Sequence, residues 1–160
     1  MGKPAVDYSV YLVTDSTRAI LGDRQLASVV EDSLKGAGVT VVQLREKTGD
    51  TAHLISVARE LQHVTRKYNV PLLINDRVDV ALAVGCEGVH IGQDDMGVFP
   101  LISSPSYRVL TCTADLATAR TLLGPDAIIG VTVSTVDEAL KACAGGADYL
   151  GIGTVYATPT

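Results

Sequence analysis

The stretch VTVVQLREK, residues 39–47, is an apolar run that ends in charged side chains. It predicts a buried strand, on which side chains alternate between two faces, so Gln43, Arg45 and Lys47 share one face. An amide and two cations in a row at a strand end suit a multiply charged anion such as a diphosphate. From this stretch alone, a solvated strand end with ordinary surface charges is an equal alternative.

Outward from this strand, short apolar runs alternate with helix-length amphipathic stretches, which predicts successive βα units on a parallel sheet. Besides the opening stretch, the predicted strands cover about 9–13, 71–74, 88–91, 127–133 and 148–152. The predicted helices cover about 24–35, 54–64, 78–84 and 135–144, with another near Leu116. The predicted fold class is α/β, a TIM-type (β/α)8 barrel with about six of its eight units present. A doubly wound open sheet is the competing fold, but no glycine-rich turn follows the first strand.

Length and composition limit the class of protein. A chain of 160 residues, 47% of them hydrophobic, suits one domain over residues 1–160. A net charge of −5 without a basic cluster argues against nucleic-acid binding. No apolar run approaches the ~20 residues that span a bilayer. Three scattered cysteines, Cys86, Cys112 and Cys143, predict reduced thiols in a cytoplasmic protein. The expected partners are small molecules, and homo-oligomerisation is left open.

Polar side chains also stand where the later strands end. Asn75 and Asp76 follow the third strand, Asp95 follows the fourth, and Thr132 lies near the end of the fifth. The carboxyl ends of parallel barrel strands meet at one rim, so these side chains are expected beside Arg45. Two carboxylates, together with phosphate oxygens and water, describe a Mg²⁺ site. For each aspartate taken singly, a helix N-cap is the simpler interpretation.

The histidines do not predict acid–base catalysis. His90 lies between apolar neighbours in a predicted strand and is interpreted as an interior histidine with hydrogen-bonded ring nitrogens and no catalytic role. His53 and His63 fall on a predicted helix and are expected to be exposed. Since no Ser-His-Asp or Cys-His arrangement can be identified, no nucleophile is predicted for covalent catalysis.

Four motifs, taken in their order along the chain, resemble one family. They are QLREK at 43–47, NDRVDVALA at 75–83, GVHIGQDD at 88–95 and GADYLGIGTVYATPT at 146–160. Together they resemble thiamine-phosphate synthase, and most of all the fungal version, in which this barrel is fused to a hydroxyethylthiazole kinase domain. The resemblance covers nearly the whole chain except residues 97–114.

The resemblance implies a transferase of thiamine biosynthesis with Mg²⁺ as cofactor. It would condense hydroxymethylpyrimidine diphosphate with hydroxyethylthiazole phosphate to thiamine phosphate, releasing diphosphate. Arg45 and Lys47 would be the catalytic pair that neutralises the leaving diphosphate. The residues that the resemblance assigns to the substrates are Gln43, Arg45, Lys47, Asn75, Thr132, Thr158 and Thr160, and those assigned to Mg²⁺ are Asp76 and Asp95. At Thr132 the family usually has Ser, so the hydroxyl is retained.

The sequence departs from the family pattern in two places. It ends near the close of the sixth unit, whereas the family barrel has two further strands, so the synthase part is expected to be truncated at its C-terminus. Residues 97–114 show no helical period and hold two prolines, which predicts an insert such as a retained intron, with a mobile lid as the alternative. Two functions stay open, a working synthase and a non-catalytic fragment that keeps only the pyrimidine-diphosphate and Mg²⁺ pocket.

Overall fold

The structure, a computed structural model, describes residues 5–46, 49–92, 115–153 and 156. Its strands are β1 Tyr11–Val13, β2 Val41–Leu44, β3 Leu72–Asn75, β4 Gly88–Ile91, β5 Ile128–Val133 and β6 Tyr149–Ile152. Its helices are α1 Arg18–Leu21, α2 Leu26–Gly36, α3 Thr51–Lys67, α4 Val78–Val84, α5 Leu116–Leu123 and α6 Val136–Ala144. All the predicted strands and helices are confirmed. The short helix α1 was not predicted, because four residues are too few to show a helical period.

The strands form one parallel sheet in which each strand pairs with the next along the chain, in the order β1 to β6. A doubly wound sheet would reverse its strand order, so this topology confirms the barrel class. The sheet is also curled, because the hydroxyls of Tyr11 on β1 and Tyr149 on β6 lie 2.6 Å apart across its concave side. The structure is therefore a curled half-barrel of alternating strands and helices.

Alternation along the strands divides the apolar side chains between two faces of the sheet. Leu44 and Ile74 point outward and share a fully buried cluster with Leu61 of α3. Each such side chain contributes roughly 1.5–3 kcal/mol by leaving water. Val41 and Leu73 belong to a second, smaller cluster on the concave side. The polar residues of β2 and β3 come after these, at the carboxyl ends of the strands.

Capping side chains set where the helices begin. Asp50 accepts a hydrogen bond of 2.7 Å from the backbone N–H of His53, so it is Asp50 and not Thr51 that caps α3. Thr135 caps α6 and forms a capping box with Glu138, in which each side chain accepts from the other residue's backbone N–H. Local side chains therefore cap these two helix starts.

Replacing Thr135 by Ala is expected to lower the free energy of unfolding by about 1 kcal/mol, because the N–H of Glu138 loses its acceptor. Urea denaturation measures the change. Thr135→Ser keeps the hydroxyl and is the matched control, which should stay close to the wild type. An equal loss of stability in both variants would show that the cap is not its cause.

Other predictions can be compared with the described ranges only in part. Within those ranges, no helix has the length and apolar character needed to cross a membrane. Cys86 and Cys143 are free thiols, as predicted, and Cys112 lies outside the described residues. The predicted insert at 97–114 also lies outside them.

Candidate active site

A cleft of 330 Å³ opens at the carboxyl ends of the strands. It is lined by Val13, Gln43, Arg45, Asn75, Asp76, His90, Gly92 and Thr132. This rim is where (β/α)8 barrels build their active sites. Five of the residues assigned from the sequence meet here: Gln43, Arg45, Asn75, Asp76 and Thr132. The others, Lys47, Asp95, Thr158 and Thr160, lie outside the described residues.

A larger cavity, of 790 Å³, lies at the other end of the sheet, among the segments that lead into the strands. Its wall includes Val39, Val70 and Pro71, together with Arg66 and Glu87, which pair with each other at 3.8 Å. None of the described residues on its wall is one that the sequence motifs assigned to a substrate or metal. The smaller cleft, and not the larger cavity, is the one lined by residues that the sequence motifs assigned.

Asp76 is held in a backbone conformation that few residues adopt. Its φ of 60° lies in the left-handed region, which Asp and Asn tolerate better than most side chains do. Its N–H donates to the carbonyl of His90 at 2.8 Å, and its Oδ1 accepts from the N–H of Gly92 at 3.1 Å. The side-chain amide of Asn75 donates to Oδ2. Strained conformations of this kind cluster at functional sites, and this one fixes the carboxylate at the cleft.

Gln43 is buried at the cleft wall, where only 4% of its surface is exposed. Its Oε1 accepts a hydrogen bond of 2.9 Å from the hydroxyl of Tyr11, and its Nε2 donates to Oδ1 of Asn75 at 2.5 Å. Both ends of the amide are thus engaged, so its orientation is fixed. Tyr11 was not assigned from the sequence. It lies two residues before Val13, which lines the cleft, so both side chains face the concave side of the sheet.

His90 is hydrogen-bonded through both ring nitrogens, as predicted for an interior histidine. Nδ1 lies 2.8 Å from the hydroxyl of Tyr149, and Nε2 lies 2.8 Å from Oγ1 of Thr132. Burial lowers the pKa of His90 to about 4, so the imidazole is neutral near pH 7. The ring nevertheless borders the cleft, which sequence position alone did not indicate. That His90 has no catalytic role stays a prediction.

The ring of Tyr149 occupies space that a glycine leaves open. Tyr149 pairs in register with Gly130 on β5, where a Cβ atom would lie 2.0 Å from the tyrosine ring. The ring packs against Tyr8 and Tyr11, with centroid distances of 4.8 and 5.6 Å. Burial raises the pKa of Tyr149 well above its ordinary value, and that of Tyr11 to about 12, so both hydroxyls keep their protons near neutral pH. The sequence reasoning missed Tyr149 as well.

The charges of the cleft come from two described residues, Arg45 and Asp76. The backbone N–H of Arg45 donates to Oγ1 of Thr14 at 3.1 Å, which ties the end of β2 to the end of β1. Within the described ranges, no three His, Cys, Asp or Glu side chains gather as a metal site. Asp76 places a carboxylate at the cleft, which Arg45 also lines. A carboxylate is a hard oxygen donor of the type that Mg²⁺ prefers.

A curled parallel sheet with a polar cleft at its carboxyl rim defines a protein of the (β/α)8 barrel class, with a candidate active site at that rim. The chain belongs to the thiamine monophosphate synthase family, whose family model matches residues 10–103 and 110–160.

Individual relatives agree with this assignment. The chain is 46% identical over 155 residues to a thiamine-phosphate synthase of Clostridium novyi, covering 97% of this chain and 66% of that protein. It is 48% identical over 158 residues to a probable thiamine biosynthetic bifunctional enzyme of Schizosaccharomyces pombe, covering 99% of this chain and 27% of that one. The solved structure of a thiamine phosphate pyrophosphorylase from Pyrococcus furiosus matches with a TM-score of 0.72 at 32% identity, over 93% of this chain and 61% of that one. The chain thus spans about two thirds of the length of the bacterial relative.

Proposed function

We propose that the cleft is the pyrimidine-diphosphate site of a thiamine-phosphate synthase. The reaction joins hydroxymethylpyrimidine diphosphate to hydroxyethylthiazole phosphate and releases diphosphate. The observation that carries the proposal is the meeting of Gln43, Arg45, Asn75 and Asp76 at one rim. These residues come from two separate sequence motifs on neighbouring strands, and the network around them fixes most of their polar atoms.

The residues of the cleft suit a reaction in which a leaving group departs before the new bond forms. Loss of diphosphate from an electron-rich pyrimidine methylene leaves a stabilised cation, which the thiazole nitrogen then traps. Such a step depends on neutralising the leaving charge and on aligning the partners. The guanidinium of Arg45 would neutralise the departing diphosphate, while the fixed amides of Gln43 and Asn75 would orient the substrate. Lys47 is proposed to add a second cation.

The proposed cofactor is Mg²⁺, with Asp76 as a ligand and Asp95 as the predicted second ligand. When bound, the metal supplies positive charge to the diphosphate. Asp76 fits this role because the N–H of Gly92 and the side-chain amide of Asn75 hold the carboxylate at the rim. The neutral ring of His90 also suits the reaction, since an imidazolium beside the cleft would repel a developing cation.

The test is an assay of thiamine phosphate formation from both substrates with Mg²⁺. It compares the 160-residue chain with a chain extended by the part of the Clostridium novyi relative that the match does not cover. Formation of product by the 160-residue chain would support a working synthase, whereas formation by the extended chain alone would support the non-catalytic fragment. Binding of the pyrimidine diphosphate by both, with turnover by neither, would favour the non-catalytic fragment. If neither binds it, the assignment of the cleft fails.

Three finer proposals accompany this function. A fungal bifunctional protein is supported by the 48% identity to the Schizosaccharomyces pombe enzyme, and the spliced transcript would show whether a kinase domain follows.

An insert within 97–114 is supported by the break in the family match at 104–109, and the same transcript would contradict it by still encoding those residues. A reducing, cytoplasmic location is supported by the free thiols of Cys86 and Cys143.

A further inference from the structure

The hydrogen bonds on the concave side of the sheet form one continuous network, here called the interior network. It runs through Asp76, Asn75, Gln43, Tyr11, Tyr149, His90 and Thr132. We infer that Tyr149 is a positioning residue that, together with Tyr11, transmits the direction of these hydrogen bonds from Asp76 to His90. The result is an imidazole with its proton on Nδ1 and a Thr132 hydroxyl that donates to Nε2.

The direction is set at the carboxylate end of the interior network. The side-chain NH₂ of Asn75 donates to Oδ2 of Asp76, and an NH₂ group can only donate. The carbonyl oxygen of Asn75 must then face Gln43, and it accepts from Nε2 at 2.5 Å. That leaves Oε1 of Gln43, an acceptor, facing the hydroxyl of Tyr11. The two amides are thus oriented in the same direction along the interior network.

The two tyrosines continue the same direction, because each hydroxyl has one proton. Tyr11 uses its proton on Oε1 of Gln43 at 2.9 Å. In the contact of 2.6 Å between the two hydroxyls, Tyr149 must therefore be the donor and Tyr11 the acceptor. With its own proton used, the oxygen of Tyr149 can only accept from His90. The nitrogen that faces it, Nδ1, must carry a proton.

The last step orients Thr132. Since burial keeps His90 neutral, a proton on Nδ1 leaves Nε2 as a bare acceptor. The hydroxyl of Thr132, 2.8 Å away, then donates to it. The proton of the Thr132 hydroxyl is thus used on His90. The tautomer does not depend on the proposed reaction, whereas its bearing on the substrate rests on the proposed function.

The position of the Tyr149 ring allows its hydroxyl to make hydrogen bonds in two directions. Gly130 leaves room for the ring to lie across β5, so the hydroxyl reaches both Tyr11 on β1 and His90 on β4. Tyr8 stacks on the same ring but makes none of the hydrogen bonds of the interior network. Tyr8→Phe is therefore a matched control, because it removes a hydroxyl from the same group of rings without changing the network.

The test determines the tautomer of His90 by heteronuclear NMR of the imidazole nitrogens in the full chain. The exposed His53 and His63 are first replaced by Gln, so that only the His90 signals remain. The expected result is a proton on Nδ1 and a bare Nε2. A proton on Nε2 with a bare Nδ1 would overturn the inference whatever the variants do, and whether or not the chain is an active synthase.

Two variants separate the network from simple packing. Tyr149→Phe removes the acceptor of Nδ1, and the proton is expected to move to Nε2, where the oxygen of Thr132 accepts it. Tyr11→Phe frees the proton of Tyr149 to donate to Nδ1, so the same change of tautomer is expected at a distance. Tyr8→Phe should leave the Nδ1 proton in place. A wild-type tautomer in a folded Tyr149→Phe or Tyr11→Phe protein would contradict the inference.

Discussion

Replacing Asp76 by Asn is expected to lower the rate of thiamine phosphate formation by about 10²–10³-fold, the cost of losing one fixed electrostatic group at a reacting centre. Asparagine also tolerates the left-handed backbone at this position, where φ is 60°. The protein should therefore keep its fold while losing the negative charge that is proposed to hold Mg²⁺. Asp76→Ala removes the oxygen ligands altogether and should lose at least as much.

The measurement is the rate of product formation during a Mg²⁺ titration, with whichever protein of the assay above is active. Asp32→Asn is the matched control, because Asp32 is exposed on α2, away from the cleft, and the change also removes one negative charge. Near-normal turnover of the Asp76 variants at saturating Mg²⁺ would refute the metal assignment. An equal loss in the Asp32 variant would point to a general effect of charge.

Replacing Gly88 by Ala is expected to destabilise the protein by about 3 kcal/mol, at the upper end of the usual cost of overpacking. A Cβ atom at this position would lie 1.8 Å from the backbone carbonyl oxygen of Ile128 on the neighbouring strand. Backbone atoms cannot turn aside as a flexible side chain can. Relief would therefore require β4 and β5 to separate at the start of their pairing, where Gly88 and Ile128 are partners.

Chemical denaturation measures this change, with Gly36→Ala as the matched control. Gly36 closes α2, and a Cβ atom added there would have no neighbouring atom within 4 Å, so the same substitution meets open space. In a helix, Gly→Ala should be neutral or stabilise by up to about 1 kcal/mol. If Gly88→Ala were as stable as Gly36→Ala, the close approach of β4 and β5 would be wrong.

Much of the fold could be predicted because its signals are local. The alternation that placed Gln43 and Arg45 on one face was confirmed when both were found lining the cleft. The choice of a barrel over a doubly wound sheet was confirmed by the strand order. The helix predicted over about 135–144 was found at Val136–Ala144.

The site was predicted only in part, because some of the side chains that support it meet only in the folded chain. Asn75, Asp76 and Thr132 were placed at the rim from their positions at strand ends, and the structure brings them together. Tyr11 and Tyr149 were missed, because they are 138 residues apart along the chain and yet touch at 2.6 Å. No periodicity in either strand could show that their hydroxyls meet.

By itself, the sequence determined the order of strands and helices, the face on which each strand side chain lies, and the residues that could bind a diphosphate. These follow from spacing and residue type within a few turns or a single strand. Only the tertiary structure decided that β1 and β6 approach across the concave side, and that Asp76, Gln43 and His90 share one network. The physical reason is that each strand pair adds a small rotation to the sheet, so no single segment of the sequence sets the total curl. A hydrogen-bond direction, in turn, depends on which polar atoms that curl brings within about 3 Å of each other.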